Sequence, residues 1–231
     1  MEKGVILVTG ANKGIGFEIV RQLAKLGHQV ILTARDGSKG LKAQKKLQAE
    51  NLNVNFLAMD ITQEESIQQA ANKVKSDFRK LDVLINNAAI SLHDDHSLLQ
   101  NDSAITAQII NTNAFAQLAV TRAFHPLIPN GGRIIMISSG GGSMTDPVGG
   151  WSPAYCVSKS FLGAITRHLA YELSSRMISV NALDPGWVKT DMGGRSAPGS
   201  VEEGADTPLW LATADKIATG KFFRNRREIP W

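Results

Sequence analysis

The chain has 231 residues, enough for one sizeable core and short for two independent domains. Apolar residues make up 43% and charged residues 20%, which excludes a disordered chain, and 25 basic against 21 acidic side chains leave a surplus that suits a phosphate-bearing ligand but not a nucleic-acid-binding tail. The single cysteine, Cys156, excludes an intrachain disulfide and a cysteine-rich zinc site; no apolar run approaches the roughly 20 residues of a membrane span, and residues 1–8 lack a signal-peptide layout, so one cytoplasmic domain is expected.

In chain order, short apolar runs at 4–8, 29–33, 55–59, 83–85, 133–137 and 178–183 predict strands buried on both faces, as in a parallel sheet. Helical spacing fills the intervals. Phe17, Ile19, Val20, Leu23, Ala24 and Leu26 form one stripe that Gly27 ends. A more solvated helix is predicted over 41–48, and another follows Thr62, read as its N-cap, through about Phe78. Long helices are predicted over 104–125, stopped by Pro126, and over about 153–175; a further helix starts near Val201. Strand alternating with helix predicts an α/β fold with a doubly wound parallel sheet and helices on both faces.

The first strand runs into Thr9-Gly10-Ala11-Asn12-Lys13-Gly14-Ile15-Gly16, with a helix behind it. In such a turn Gly10 permits the sharp exit from the strand, Gly14 lets backbone approach a pyrophosphate, and Gly16 lets the helix pack close to the sheet. The helix N-terminus adds unpaired N–H donors. The spacing differs from the common Gly-x-Gly-x-x-Gly fingerprint, and a plain tight turn is the competing reading.

This turn, with Thr33-Ala34-Arg35-Asp36, Asn86-Asn87-Ala88-Ala89, Tyr155-x-x-x-Lys159 and Pro185-Gly186-Trp187-Val188-Lys189-Thr190-Asp191-Met192 following in order, resembles the short-chain dehydrogenase/reductase family over nearly the whole chain, most of all its NADPH-dependent carbonyl reductase branch. The resemblance implies a Rossmann-type three-layer α/β/α domain over 1–231, with a short substrate loop at about 187–205. It also implies NADPH/NADP+ as cofactor and a small carbonyl compound as substrate, with no nucleic acid and no membrane as partner. Cofactor contacts fall on Gly10, Asn12, Lys13, Gly14, Ile15, Gly16, Asn87, Ala88, Tyr155 and Lys159. Pro185, Gly186, Val188 and Thr190 are expected at the nicotinamide carboxamide. Asp60, with Ile61 beside it, resembles an adenine-contacting acid, though it could equally cap the next helix. The position that in NAD-preferring sites carries an acid here reads Ala34-Arg35, and a guanidinium there suits a 2′-phosphate. Lys13 is a second candidate charge, although either cation could simply be solvated.

Tyr155 and Lys159, four apart, share one helix face, where an ammonium would lower the phenol pKa. The strand at 133–137 ends in Ser138-Ser139; by resemblance Ser139 bonds the substrate carbonyl oxygen, with Ser138 the alternative, and Asn113 holds a relay water. Trp151, Trp187, Met144, Val148 and His93 are candidate substrate-wall residues or ordinary packing. His93 and His96 read as a solvated loop and not a metal site, since no third and fourth ligand stands at suitable spacing; Cys156 reads as an inert thiol, and the basic residues 221–227 as solvated surface. A dedicated biosynthetic alcohol dehydrogenase and a non-catalytic NADPH sensor or scaffold are the competing functions. The sixteen-residue step from Ser139 to Tyr155 lacks the insertion of monomeric carbonyl reductases, so a homodimer or homotetramer paired through the two long helices is expected.

Overall fold

Val, Ile and Leu dominate the strands because the sheet is covered on both faces. The computed structural model describes residues 3–145 and 151–231; the wall candidate Val148 lies outside them. In chain order the elements are β1 Val5–Val8, α1 Gly14–Lys25, β2 Gln29–Ala34, α2 Gly37–Ala49, β3 Val54–Ala58, α3 Glu64–Phe78, β4 Val83–Asn86 and α4 Ser103–Ile110. A π-helical turn at Asn111–Phe115 leads into α5 Ala116–Phe124, then β5 Arg133–Ile137, α6 Pro153–Glu172, β6 Ser179–Leu183, α7 Val201–Thr213, β7 Phe222–Arg224 and β8 Arg227–Ile229. The sheet order is β3-β2-β1-β4-β5-β6-β7-β8, parallel except for the β7–β8 hairpin. Among the described residues no helix is long and apolar enough to cross a membrane.

Two apolar layers hold the sheet. Ile19, Val20 and Leu23 of α1, Ala43 and Leu47 of α2 and Leu211 of α7 cover one face. Ile67 and Val74 of α3, Val120 and Phe124 of α5 and Leu162 and Leu169 of α6 cover the other. The doubly wound reading is thereby confirmed, and three local expectations are corrected. The helix predicted over 104–125 is interrupted by the π turn, where the Ala116 N–H reaches back to Asn111 O. Thr62 is not the N-cap of α3: Gln63 occupies that position, and the Thr62 hydroxyl donates to Asp60 Oδ1 at 2.7 Å. Of the basic residues read as solvated surface, Arg226 and Arg227 are exposed as expected, but Arg224 is half-buried, and the segment carries β7 and β8 with Phe222 and Phe223 buried.

The sheet edge beyond β5 is set by close backbone packing. Gly142, in the turn after β5, is buried, and a Cβ there would lie 2.7 Å from the Lys159 carbonyl carbon and 2.9 Å from its oxygen. Backbone cannot yield as a side-chain tip can. Gly142→Ala is expected to cost roughly 1–3 kcal/mol, a melting temperature lower by about 2–10 °C. Gly37→Ala, where nothing lies within 4 Å, should leave melting unchanged or slightly raised. Calorimetry of the two variants checks the contrast; equal melting temperatures contradict it.

Candidate active site

The strand order reverses between β1 and β4, and their C-terminal ends diverge there into a crevice. Thr9 ties the two ends together. Its Oγ1 accepts the N–H groups of Asn87 and Ala88, both at 2.9 Å, while Asn87 Nδ2 donates to Thr9 O at 2.8 Å and Gly10 O at 3.2 Å. Gly10 (φ +61°) crosses so close that a Cβ would sit 2.8 Å from Ala88 Cα, and Gly14 (φ +59°) turns the chain into α1. No side chain caps the start of α1.

A groove of about 1360 Å³ extends from this turn along the sheet edge. Every residue predicted to contact the cofactor lines it, from Gly10, Asn12, Lys13, Gly14, Ile15 and Gly16 through Arg35, Asp60, Ile61, Asn87 and Ala88 to Pro185, Gly186, Val188 and Thr190. These residues fit a dinucleotide phosphate: an uncapped helix start faces a glycine turn, and the exposed Arg35 guanidinium makes no hydrogen bond or ion pair among the described residues. Lys13 differs from Arg35. Its ammonium is paired with Asp191 at 2.5 Å, a bridge across the groove mouth between side chains 65% and 78% exposed. Asp60 accepts Thr62 N–H and hydroxyl through one oxygen, so it organises its own turn while lining the groove.

Ser139, Tyr155 and Lys159 meet at the groove's inner end. The Ser139 side chain stands beside the Tyr155 phenol, and its hydroxyl accepts Gly141 N–H at 3.2 Å. The Ser138 hydroxyl instead donates to Lys159 O at 3.4 Å, so Ser139 is the serine beside the tyrosine. Lys159, 2% exposed, donates to Ile137 O at 2.8 Å and sits 5.4 Å from the Tyr155 ring centroid. Burial disfavours its ammonium and lowers its pKa to about 7, with the Asp184 carboxylate opposing. The expected lowering of the Tyr155 pKa is corrected: burial raises it, the neighbouring Ser139 hydroxyl only partly offsets this, and Asp184 adds to the rise. The side chain is therefore held as a neutral phenol, the form that donates a proton.

Asn113 does not line the groove. Its amide nitrogen donates to Ile90 O at 2.8 Å and Ser158 Oγ at 3.1 Å, and its oxygen accepts Ile90 N–H at 2.8 Å. Both amide hydrogens are thus spent on the protein. Trp151 and Trp187 do line the groove, but Met144 and His93 do not; the His93 side chain is 95% exposed. Asp94 brings a third ligand atom within 4.8 Å of those of His93 and His96, all on exposed residues. Cys156 is buried, and burial pushes its thiol up to about 11, as expected of an inert side chain.

Sequence reasoning missed Asp184 and Arg224. They pair at 2.7 Å where β6 and β7 end, and both line the groove. Asp184 also accepts Gly186 N–H at 2.9 Å, and a Cβ on Gly140, next to Ser139, would meet both partners. A carboxylate directly after a strand and before Pro185 was the available signal; a three-residue strand around Arg224 left none.

Three comparisons agree with this geometry. Carbonyl reductase (NADPH) 1 of Sus scrofa is 35% identical over 274 positions, covering 98% of this chain and 94% of that protein. The aligned stretch exceeds the length of this chain, so the relative contains segments absent here. The crystal structure of NADPH-bound carbonyl reductase from chicken fatty liver superposes with a TM-score of 0.90 at 30% identity, covering 100% of both chains. Salutaridine reductase from Papaver somniferum superposes with a TM-score of 0.84 at 28% identity, over 96% of this chain and 99% of that one. The family model for short chain dehydrogenase matches residues 4–200, and the chain belongs to that family.

Proposed function

We propose that the protein is an NADPH-dependent reductase of aldehyde and ketone carbonyls. The observation that carries this reading is the meeting of Ser139, Tyr155 and buried Lys159 at the inner end of a groove whose outer end presents Arg35. NADPH, when bound, supplies the hydride. The glycine turn and the start of α1 bind its pyrophosphate, Arg35 its 2′-phosphate, and Asn87, Ala88 and the 185–190 segment its nicotinamide half. Ser139 bonds the carbonyl oxygen and orients it. Tyr155 donates its phenolic proton to that oxygen, and the Lys159 ammonium steadies the negative charge left behind. Lys13 joins Arg35 only when it leaves Asp191.

Trp151 and Trp187 form an apolar wall for the substrate. The predicted substrate loop ends earlier than 205, because α7 begins at Val201, and this short connection after β6 favours an open site and varied carbonyl substrates. The likeness to salutaridine reductase supports a second reading, a reductase dedicated to one biosynthetic ketone. A carbonyl panel separates them: one substrate favoured by several orders of magnitude supports the second. Exposed Phe115 and Phe161, edge to face at 5.1 Å, support pairing of subunits through α5 and α6 as a dimer or tetramer. The lone buried thiol is consistent with a cytoplasmic setting.

NADPH oxidation with a simple aldehyde tests the proposal. Tyr155→Phe should lower turnover by roughly 10²–10⁴-fold while NADPH affinity stays unchanged; near-normal turnover contradicts the assignment. Arg35→Asp should erode the preference for NADPH over NADH by about 10–100-fold, the worth of a charge-assisted hydrogen bond. Equal use of both cofactors by the unmodified enzyme contradicts it. Because the Lys159 pKa is lowered to about 7, its ammonium is present below that pH and lost above it. Accordingly kcat/KM for NADPH, which reports the free enzyme, should fall as pH rises through the neutral range, and a flat profile contradicts this role.

A further inference from the structure

Tyr155 lies in the first turn of α6, where backbone N–H groups have no partner inside the helix. Ser152, at the N-cap position, offers no side-chain hydrogen bond. The donors are satisfied from 59 and 60 positions earlier in the chain. Asp95 Oδ1 accepts Ala154 N–H at 3.0 Å, and Asp95 Oδ2 accepts Tyr155 N–H at 2.9 Å. Asp95 is 2% exposed, although His93, Asp94 and His96 around it all face solvent.

The loop that carries this carboxylate is itself held. Asn101 Nδ2 donates to Asp95 Oδ1 at 2.7 Å, while Asn101 Oδ1 accepts the N–H groups of His96 and Ser97 at 3.1 and 2.9 Å. The other side of Tyr155 is bonded too. Its carbonyl accepts the Ser158 hydroxyl at 2.6 Å, and that hydroxyl accepts from Asn113, whose amide clasps Ile90 at the start of the same loop. Both backbone groups of Tyr155 are thus tied, directly or through one side chain, to the connection between β4 and α4.

We infer that Asp95 is a positioning residue for Tyr155: its buried carboxylate caps α6 from the β4–α4 loop and fixes where the phenol stands relative to Ser139. The inference rests on the proposed role of Tyr155 as proton donor. A carboxylate at a helix start is favoured by the helix dipole as well as by its two hydrogen bonds. The catalytic consequence is geometric, since a misplacement of about 1 Å can cost on the order of 10²-fold in rate. Asp95 touches neither cofactor nor carbonyl in this role, so cofactor affinity should be indifferent to it.

The test compares Asp95→Ala, Asp95→Asn and Asp82→Ala. Asp82 is a second buried carboxylate, which accepts Val5 N–H at 2.8 Å at the opposite end of the sheet, so it controls for lost stability alone. For Asp95→Ala the expected result is a kcat lowered by roughly 10–100-fold. Its NADPH dissociation constant should be unchanged, and amide exchange at residues 154 and 155 faster. Asp95→Asn, which keeps one acceptor oxygen, should restore part of the rate; Asp82→Ala should melt earlier with normal kcat. A kcat for Asp95→Ala equal to that of Asp82→Ala overturns the inference. If Asp95→Ala does not fold, full turnover by Asp95→Asn with deprotected 154 and 155 amides overturns it equally. Tyr155→Phe, assayed alongside, isolates the underlying reading: turnover by that variant refutes the proton donor, whereas loss there with normal Asp95 variants refutes only the positioning.

Discussion

The crossing of two strand ends governs the rest of this molecule. Thr9, at the end of β1, accepts the backbone N–H groups of Asn87 and Ala88 beyond β4, and Asn87 returns two hydrogen bonds to Thr9 and Gly10. The connections leave in opposite directions at this point, so no loop covers the edge and a groove remains. Fixing Asn87 also fixes where the next loop departs. That loop returns Ile90 to Asn113 and Asp95 to the start of α6. The glycine turn and the helix that carries Tyr155, far apart in the chain, therefore share one hydrogen-bonded frame.

Burial then sets the charge states at the inner end. Lys159 and Tyr155 stand together in a nearly dry position, and desolvation acts on them in opposite senses: it weakens the ammonium and strengthens the phenol's hold on its proton. Asp184, paired with Arg224, favours the protonated form of both. The balance suits proton donation in the reducing direction. The neighbouring Ser139 hydroxyl is the one contribution that eases release of the phenolic proton.

Much of this was legible in the sequence because parallel strands buried on both faces announce themselves as continuous apolar runs. Residues 133–137 match β5 end to end, and the other five predicted strands differ from their counterparts by a residue or two. The ordered motifs located the groove. What stayed illegible depends on long-range contacts. The π turn over Asn111–Phe115 carries the Asn113 amide that bonds Ile90, a contact no local pattern encodes. In His93-Asp94-Asp95-His96 four polar residues stand in a row, and only the fold decides that Asp95 alone turns inward. β7 and β8 have three residues each, too short for periodicity, so the basic side chain of Arg224 passed for solvated surface.

The central claim is that this edge transfers hydride from NADPH to a carbonyl carbon and a proton from Tyr155 to its oxygen. Following the hydride itself tests this most directly. The enzyme is incubated with an aldehyde and NADPH carrying deuterium at the transferable position of nicotinamide C4, and the alcohol is examined by mass spectrometry and NMR. The account predicts one deuterium on the carbinol carbon for each NADPH consumed. Cofactor binding without alcohol formation, or alcohol lacking the label, would contradict it.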